Sequence, residues 1–246
     1  MNSLEKVKYI SNWIKTYVDQ MPSKAQSLVI GISGGIDSSV TSTLCALTGK
    51  KTIVLSMPIK QIKEQHDLSL KHQEWLKNKF KNVEGYTVEL NEVFSSFKKS
   101  LSKFENDHGM ANSRARLRMT TLYQVAAANN GIVVGTGNKV EDFGVGFYTK
   151  YGDGGVDISP IADCTKTQVW EMGKSLGIIK GILDAEPTDG LWDDGRTDVK
   201  QLGMSYEELE KAMKDKKSKG YDKYLEIRKR NLHKMKPIPV CKMDDE

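Results

Sequence analysis

Cysteine is scarce in this chain: Cys45, Cys164 and Cys241 are the only three in 246 residues. They are odd in number, far apart and form no CxxC, which argues against a disulfide framework and a structural zinc site. Long apolar runs are missing too. Ser27-Leu28-Val29-Ile30-Gly31-Ile32 is among the longest, far short of the roughly 20 residues that span a bilayer. Met1 to Lys8 carries no apolar h-region and no small-residue cleavage site, so the expectation is a cytoplasmic, thiol-reducing setting with no membrane partner. His66 and His72 lie six positions apart, which is not a same-face helical spacing, so no histidine metal pair is expected.

What is present fits a folded domain. Hydrophobic residues make up 38% and charged residues 28%, a balance that excludes a disordered chain. At a prior of roughly 150 residues per domain, the whole of 1–246 is expected to be one domain. The net charge of +5 is uneven: between Lys211 and Lys236 eleven Lys or Arg face three acids. That basic helical part, 205–236, suits either a solvated helix face or the binding of anions, and lacks the aromatic interleaving that nucleic acid would favour.

Along the chain, Leu4, Val7, Ile10, Ile14, Tyr17, Val18 and Met21 predict an amphipathic helix stopped by Pro22. Apolar strands are expected at 27–32, 52–57, 86–90 and 132–135. Helices are expected at 38–47, 63–80, 91–104, 112–129, 165–176, 205–216 and 221–234. Continuous apolar strands alternating with helices predict a doubly wound, mostly parallel α/β sheet with helices on both faces and a helical carboxyl end. Ligands of such sheets bind at the carboxyl ends of the strands. Seven glycines crowd the stretch from Gly135 to Pro160 without apolar periodicity, which predicts a functional loop, with 137–160 as an active-site lid.

The strongest local signal is Gly31-Ile32-Ser33-Gly34-Gly35-Ile36-Asp37-Ser38, between the first strand and the next helix. Glycines let the backbone approach a phosphate, and the helix amino end and serine hydroxyls supply donors. Asp37 would repel phosphate unless a cation intervened, so its role is that of a magnesium ligand. The loop is neither a Walker A sequence nor a dinucleotide GxGxxG.

SGGxDS resembles the loop of the ATP pyrophosphatases, which split ATP into AMP and pyrophosphate while adenylating a carboxyl or carbonyl oxygen. Further motifs narrow the resemblance: Asn112-Ser113-Arg114-Ala115-Arg116-Leu117-Arg118-Met119, Gly135-Thr136-Gly137-Asn138-Lys139-Val140-Glu141, and Lys150-Tyr151-Gly152-Asp153-Gly154-Gly155-Val156-Asp157. With Lys166-Thr167-Gln168, Ala185-Glu186-Pro187-Thr188 and His233-Lys234, they follow in order over nearly the whole chain, from Gly31 to Val240. This set is similar to the ammonia-dependent NAD synthetases. The resemblance implies ATP on residues 31–38, Thr136, Lys166 and Thr188. It implies magnesium on Asp37 and Glu141, and deamido-NAD on Arg116, Lys150, Asp157, His233 and Lys234. Ser33, Ser38 and Lys166 would stabilise the departing pyrophosphate, and Asp153 would activate ammonia or else only shape its turn with Gly154. Free ammonia would be the nitrogen donor, since the chain leaves no room for a glutamine-hydrolysing domain, and a homodimer is implied.

Two departures stand out. The segment between Glu141 and Lys150 is one residue longer than in some bacterial members, and Ile36 stands where many have Gln. Two competing readings remain at this stage. One is a tRNA-modifying ATP pyrophosphatase, for which the basic tail is the argument. The other is a non-catalytic adenine-nucleotide-binding module, against which stand two metal carboxylates that binding alone does not need.

Overall fold

A computed structural model describes residues 1–243. Helix α1 (Ser3–Gln20) opens on a capping box: the Asn2 side chain accepts from the Glu5 amide, and Glu5 accepts from the Asn2 amide. Strand β1 (Ser27–Gly31) feeds α2 (Ile36–Leu47), β2 (Lys51–Ser56) feeds α3 (Lys63–Lys79), and β3 (Val83–Thr87) feeds α4 (Asn91–Ser100). A 3-10 turn at Ser102–Phe104 leads into α5 (Asp107–Ala128), and β4 (Gly131–Val133) follows. Beyond it come a π-helical turn at Val140–Val145, α6 (Lys166–Leu176), the short α7 (Lys180–Leu183) and α8 (Asp198–Leu202), then α9 (Tyr206–Lys214) and α10 (Tyr221–Met235). No helix among the described residues is long and apolar enough to cross a membrane.

Among the described residues the four strands are all parallel, in the order β3-β2-β1-β4. The chain walks outward from β1 to β3, then returns to lay β4 on the other side of β1. The loops leaving β1 and β4 therefore diverge and open a crevice between them, the place where such sheets bind ligands. Side-chain alternation divides the core. Leu28 and Ile30 of β1 face one cluster, with Ile14, Leu44 and Met172. Val29 points the other way, to Phe94, Met119 and Leu122. Each fully buried Leu or Ile contributes about 1.5–3 kcal/mol, so both faces clamp β1 and fix the loop that follows it. Cys45 is buried packing, its thiol pushed up to about 12 by burial.

Three elements depart from the sequence expectation. β3 lies at Val83–Thr87 rather than 86–90, because its pairing with β2 runs from Thr52↔Val83 to Ser56↔Thr87. Gln73 of α3 crosses Gly85 and donates to the Tyr86 carbonyl at 2.9 Å, while Leu90 turns inward at the head of α4. α5 starts before Asn112 because Asn106 caps it, accepting from the Gly109 amide at 2.8 Å. The glycine-rich stretch is not all loop. Its π turn buries Val140 and Val145 in a third cluster with Tyr206, Leu209 and Tyr224.

The basic carboxyl part holds that turn in place. Arg228 donates to the Phe143 and Gly144 carbonyls, Asn231 to Val145 at 2.9 Å, and Lys234 to Tyr148 at 2.6 Å. Two of its cations, Arg228 and Lys234, are thus ties to the glycine-rich segment rather than members of a solvated face.

Candidate active site

The loop after β1 is braced from within. The Ser38 hydroxyl accepts from the Ser33 amide at 3.2 Å and lies 3.1 Å from the Ser33 hydroxyl, and Ser39 donates to the Gly35 carbonyl at 2.9 Å. Gly34 has φ of +88°, and a Cβ there would stand 2.6 Å from the Gln65 carbonyl, so only glycine fits between the loop and α3. Gly35 caps α2 without a side-chain bond. The first amides of α2 are therefore left for an anion.

Three charged side chains from distant parts of the chain meet beside this loop. Lys166 Nζ, from the start of α6, lies 2.5 Å from Asp37 Oδ2 and 3.0 Å from Glu141 Oε1. Lys166 is only 2% exposed. Burial by itself would lower its amine, but Asp37 and Glu141 outweigh that and hold it as an ammonium above the ordinary lysine value. Burial raises the Asp37 carboxyl, with Lys166 opposing. Asn138, fully buried, sets both carboxylates: its amide nitrogen donates to Asp37 Oδ1 at 3.2 Å, while its oxygen accepts from the Val140 and Glu141 amides.

Tyr206 closes the back of the group. Its hydroxyl donates to Glu141 Oε1 at 2.6 Å and lies 2.8 Å from Asp198 Oδ2. A hydroxyl carries one proton, so a proton on Asp198 completes the second bond. Burial, with Glu141 nearby, pushes the Asp198 carboxyl up to about 7, which makes that proton available near neutrality.

Asp37, Glu141, Lys166 and Asp198 line a cleft of about 250 Å³ together with the rest of residues 31–38, Thr136, Asp153 and Thr188, with Asn138 and Tyr206 behind them. The Thr188 hydroxyl is engaged in its own loop, donating to Arg196 O at 3.1 Å. Asp153 is exposed into the cleft and accepts from the Thr149 amide at 2.9 Å. The surrounding protein desolvates its carboxyl and pushes it up to about 6, against the pull of backbone donors. Asp142, on the π turn, is pushed to about 7 by burial and by Glu141 and Asp153. Its carboxylate packs against Gly137, where any Cβ would collide with it.

The remaining expected residues lie outside this cleft. Arg116 is exposed and donates from Nε to the Lys150 carbonyl at 3.2 Å. Asp157 accepts from the Val133 amide at 2.7 Å and from the Tyr123 hydroxyl at 3.1 Å. Tyr123 and Tyr151 belong to a second, more open hollow of about 530 Å³, and the Lys150 ammonium stands 5.3 Å from the Tyr151 ring centre. His233 is exposed at the end of α10, beside Lys234. Sequence reasoning gave no role to Asn138, Tyr206, Asp198, Asp142 or Arg118. Asn138 and Arg118 sit inside motifs already visible, whereas nothing local marks Tyr206 or Asp198.

A glycine loop on β1, a carboxylate–lysine centre and a crevice at the strand reversal define an α/β nucleotide-binding protein with an ATP-pyrophosphatase-type loop. A family model described as NAD synthase matches residues 6–243. An NH(3)-dependent NAD(+) synthetase of Mesoplasma florum is 39% identical over 215 residues, 85% of this chain and 84% of that protein. One from Alkaliphilus metalliredigens is 35% identical over 248 residues, 95% of this chain and 97% of its own length. Among solved structures, the NMN synthetase of Francisella tularensis superposes with a TM-score of 0.90 at 34% identity, over 99% of this chain and 100% of that one. The chain belongs to the NAD synthase family and is a ligase of NAD biosynthesis.

Proposed function

We propose that the protein adenylates the nicotinate carboxylate of deamido-NAD with ATP and amidates it with free ammonia, giving NAD, AMP and pyrophosphate. The observation that carries this reading is the meeting of Asp37, Glu141 and Lys166 beside the glycine loop. One ammonium against two carboxylates leaves that point negative, where a triphosphate would be repelled. The oxygen-rich donor set suits a hard divalent cation, so Asp37 and Glu141 would hold magnesium, which neutralises phosphate charge when bound.

In this scheme the 31–38 loop, through its amides and the Ser33 and Ser38 hydroxyls, orients the ATP phosphates, with Thr136 and Thr188 at the rim. The nicotinate carboxylate attacks the α-phosphorus, and Lys166 stabilises the departing pyrophosphate. Ammonium then enters beside Asp153. A carboxyl pushed to about 6 is well matched to take a proton near neutrality. Ammonia attacks the acyl carbon, the acyl C–O bond to AMP breaks, and the proton shed by the new amide nitrogen goes to the departing AMP phosphate. The glycine-rich 137–160 segment, anchored at its π turn, shields the adenylate from water. Arg116, Lys150, Asp157, His233 and Lys234 serve the far half of the dinucleotide, with the second hollow beside them. The protein works in the cytoplasm as a homodimer.

A second reading concerns the acid alone. The likeness to an NMN synthetase, and an Asp157 with both oxygens already bonded to the protein, favour nicotinate mononucleotide over the dinucleotide. AMP release in ammonium chloride, with each acid in turn, decides by the ratio of kcat/KM. Release with neither acid overturns both readings. Asp153→Asn should keep acid-dependent ATP–pyrophosphate exchange and lose amide formation; an equal fall in both would remove Asp153 from the ammonia step.

A further inference from the structure

The charge around the cleft is lopsided for a protein that handles polyanions. Carboxylate side chains outnumber cationic ones in its lining, and among the described residues the cations there are Lys166 and Arg118. The Lys166 charge is taken up by Asp37 and Glu141. Arg118 is different. It projects from α5, and Nε donates to the Met57 carbonyl at 3.0 Å, which fixes the plane of the guanidinium at the carboxyl end of β2. Its Nη2 is enclosed and has no acceptor among the described residues. An enclosed donor without an acceptor is destabilising, and a ligand oxygen would relieve it.

The neighbours sharpen the point. Arg114, one turn earlier on α5, also has enclosed donors without acceptors among the described residues, Nε and Nη1. Its Nη2, however, lies 2.7 Å from Asp193 Oδ1, its guanidinium covers the Phe94 ring at 5.0 Å, and unlike Arg118 it does not line the cleft. Asp153 and Asp189 act on Arg118 as distant charges without bonding it, and burial with Arg114 brings it down to about 10, so it stays cationic at neutral pH. Arg118 shares the cleft lining with Met57, Ala115 and Asp153, and no hydrogen bond joins it to the Asp37–Lys166–Glu141 group among the described residues.

We infer that Arg118 is the group that receives the carboxylate of the acid substrate, through Nη2, and so distinguishes the acid from its amide product. This rests on the nicotinate reading above. A carboxylate approaching a triphosphate needs a counter-charge that is not already spent, and a guanidinium bonds a carboxylate oxygen more strongly than it bonds a neutral amide. The same preference sends the product away, because amidation removes the charge that Arg118 holds.

The test compares acid with amide by calorimetry on the full chain, using deamido-NAD against NAD and nicotinate mononucleotide against its amide, in wild type, Arg118→Gln and Arg118→Lys. Wild type should bind the acid more tightly than the amide. Arg118→Gln should lose about tenfold or more of acid affinity, roughly the worth of one charge-assisted bond, with amide and ATP affinities unchanged. Arg118→Lys should recover part of the discrimination, because it keeps the charge without the fork. If acid and amide weaken equally in both variants, Arg118 is structural and the inference is overturned. If ATP weakens while the acid does not, Arg118 serves the phosphates and the inference is again overturned. A wild type that binds neither acid would instead defeat the nicotinate reading itself.

Discussion

The two groups of residues expected to hold substrate are built in opposite ways. The phosphate side is assembled from the ends of β1, α2 and α6 and from the π turn, and its side chains bond one another: Asp37, Glu141, Lys166, Asn138 and Tyr206 form one connected set. The dinucleotide side is scattered over the outer surface of α5, the 150–157 turn and the end of α10. Arg116 and His233 are exposed, and the Lys150 ammonium stands 5.3 Å from the Tyr151 ring centre. A network that is already complete has little left to order when the phosphates arrive, and that is what electrostatic stabilisation of a transition state needs. On the other side Arg116, Asp157 and Lys234 are bonded to backbone and to Tyr123 but not to one another, so their mutual geometry is left for the ligand to complete. The first side should therefore govern rate and stability, and the second should govern affinity.

The hardest test of that division is Asp37→Asn. Replacing the carboxylate should leave the fold intact and lower adenylation by about three decades, or about 4 kcal/mol of transition-state stabilisation, read as ATP–pyrophosphate exchange. Near wild-type exchange in saturating magnesium would break the comparison at its strongest point. Next comes Lys166→Met. Two partly buried carboxylates would be left facing one another, and thermal or urea unfolding should show a loss of about 3 kcal/mol. An unchanged melting temperature would mean that the network is not needed by the fold.

On the other side, Lys150→Ala and His233→Ala should each raise KM for the acid about tenfold, or about 1.4 kcal/mol, while KM for ATP and the exchange rate hold. Equal effects on both substrates would erase the distinction between the two regions. The smallest effect concerns pH. The Asp153 carboxyl titrates near 6 in the folded chain and near the ordinary 3.9 when unfolded. Between those values the folded chain holds the extra proton, so this group's contribution to stability is fully present below about pH 4 and is lost as pH rises through 6. Water in the cleft screens the group, so the decline should be slight. Melting temperatures of wild type and Asp153→Asn across pH 4 to 8 should diverge in this window, and parallel curves would show that the carboxyl is not raised.

What the sequence disclosed follows the same division. The 31–38 loop was legible because its parts are contiguous: a strand end, glycines and a helix start place themselves. β1 and β2 were legible because both of their faces are buried and their apolar runs are unbroken. β3 was not, because it is an edge strand with one buried residue, Val83. The apolar signal nearby came from Val88 and Leu90, which pack at the head of α4. The convergence on Lys166 came through the resemblance, but the clamp of Asn138 and the backing of Tyr206 and Asp198 did not. Tyr206 stands 65 residues from Glu141, and only folding tells which tyrosine will arrive there.

The packing of Asp142 on Gly137 bears on how this sequence can change over time. A side chain at 137 has no space while the carboxylate at 142 holds its place. Of the two mutational orders, one passes through a blocked intermediate, while the other, 142 first and 137 second, passes through a chain with a small void that can still pack. The two positions should therefore be inherited as a pair. A lineage that has replaced glycine at 137 should already carry a short side chain at 142, and a library randomised at 137 alone should return glycine where one randomised at both returns several solutions.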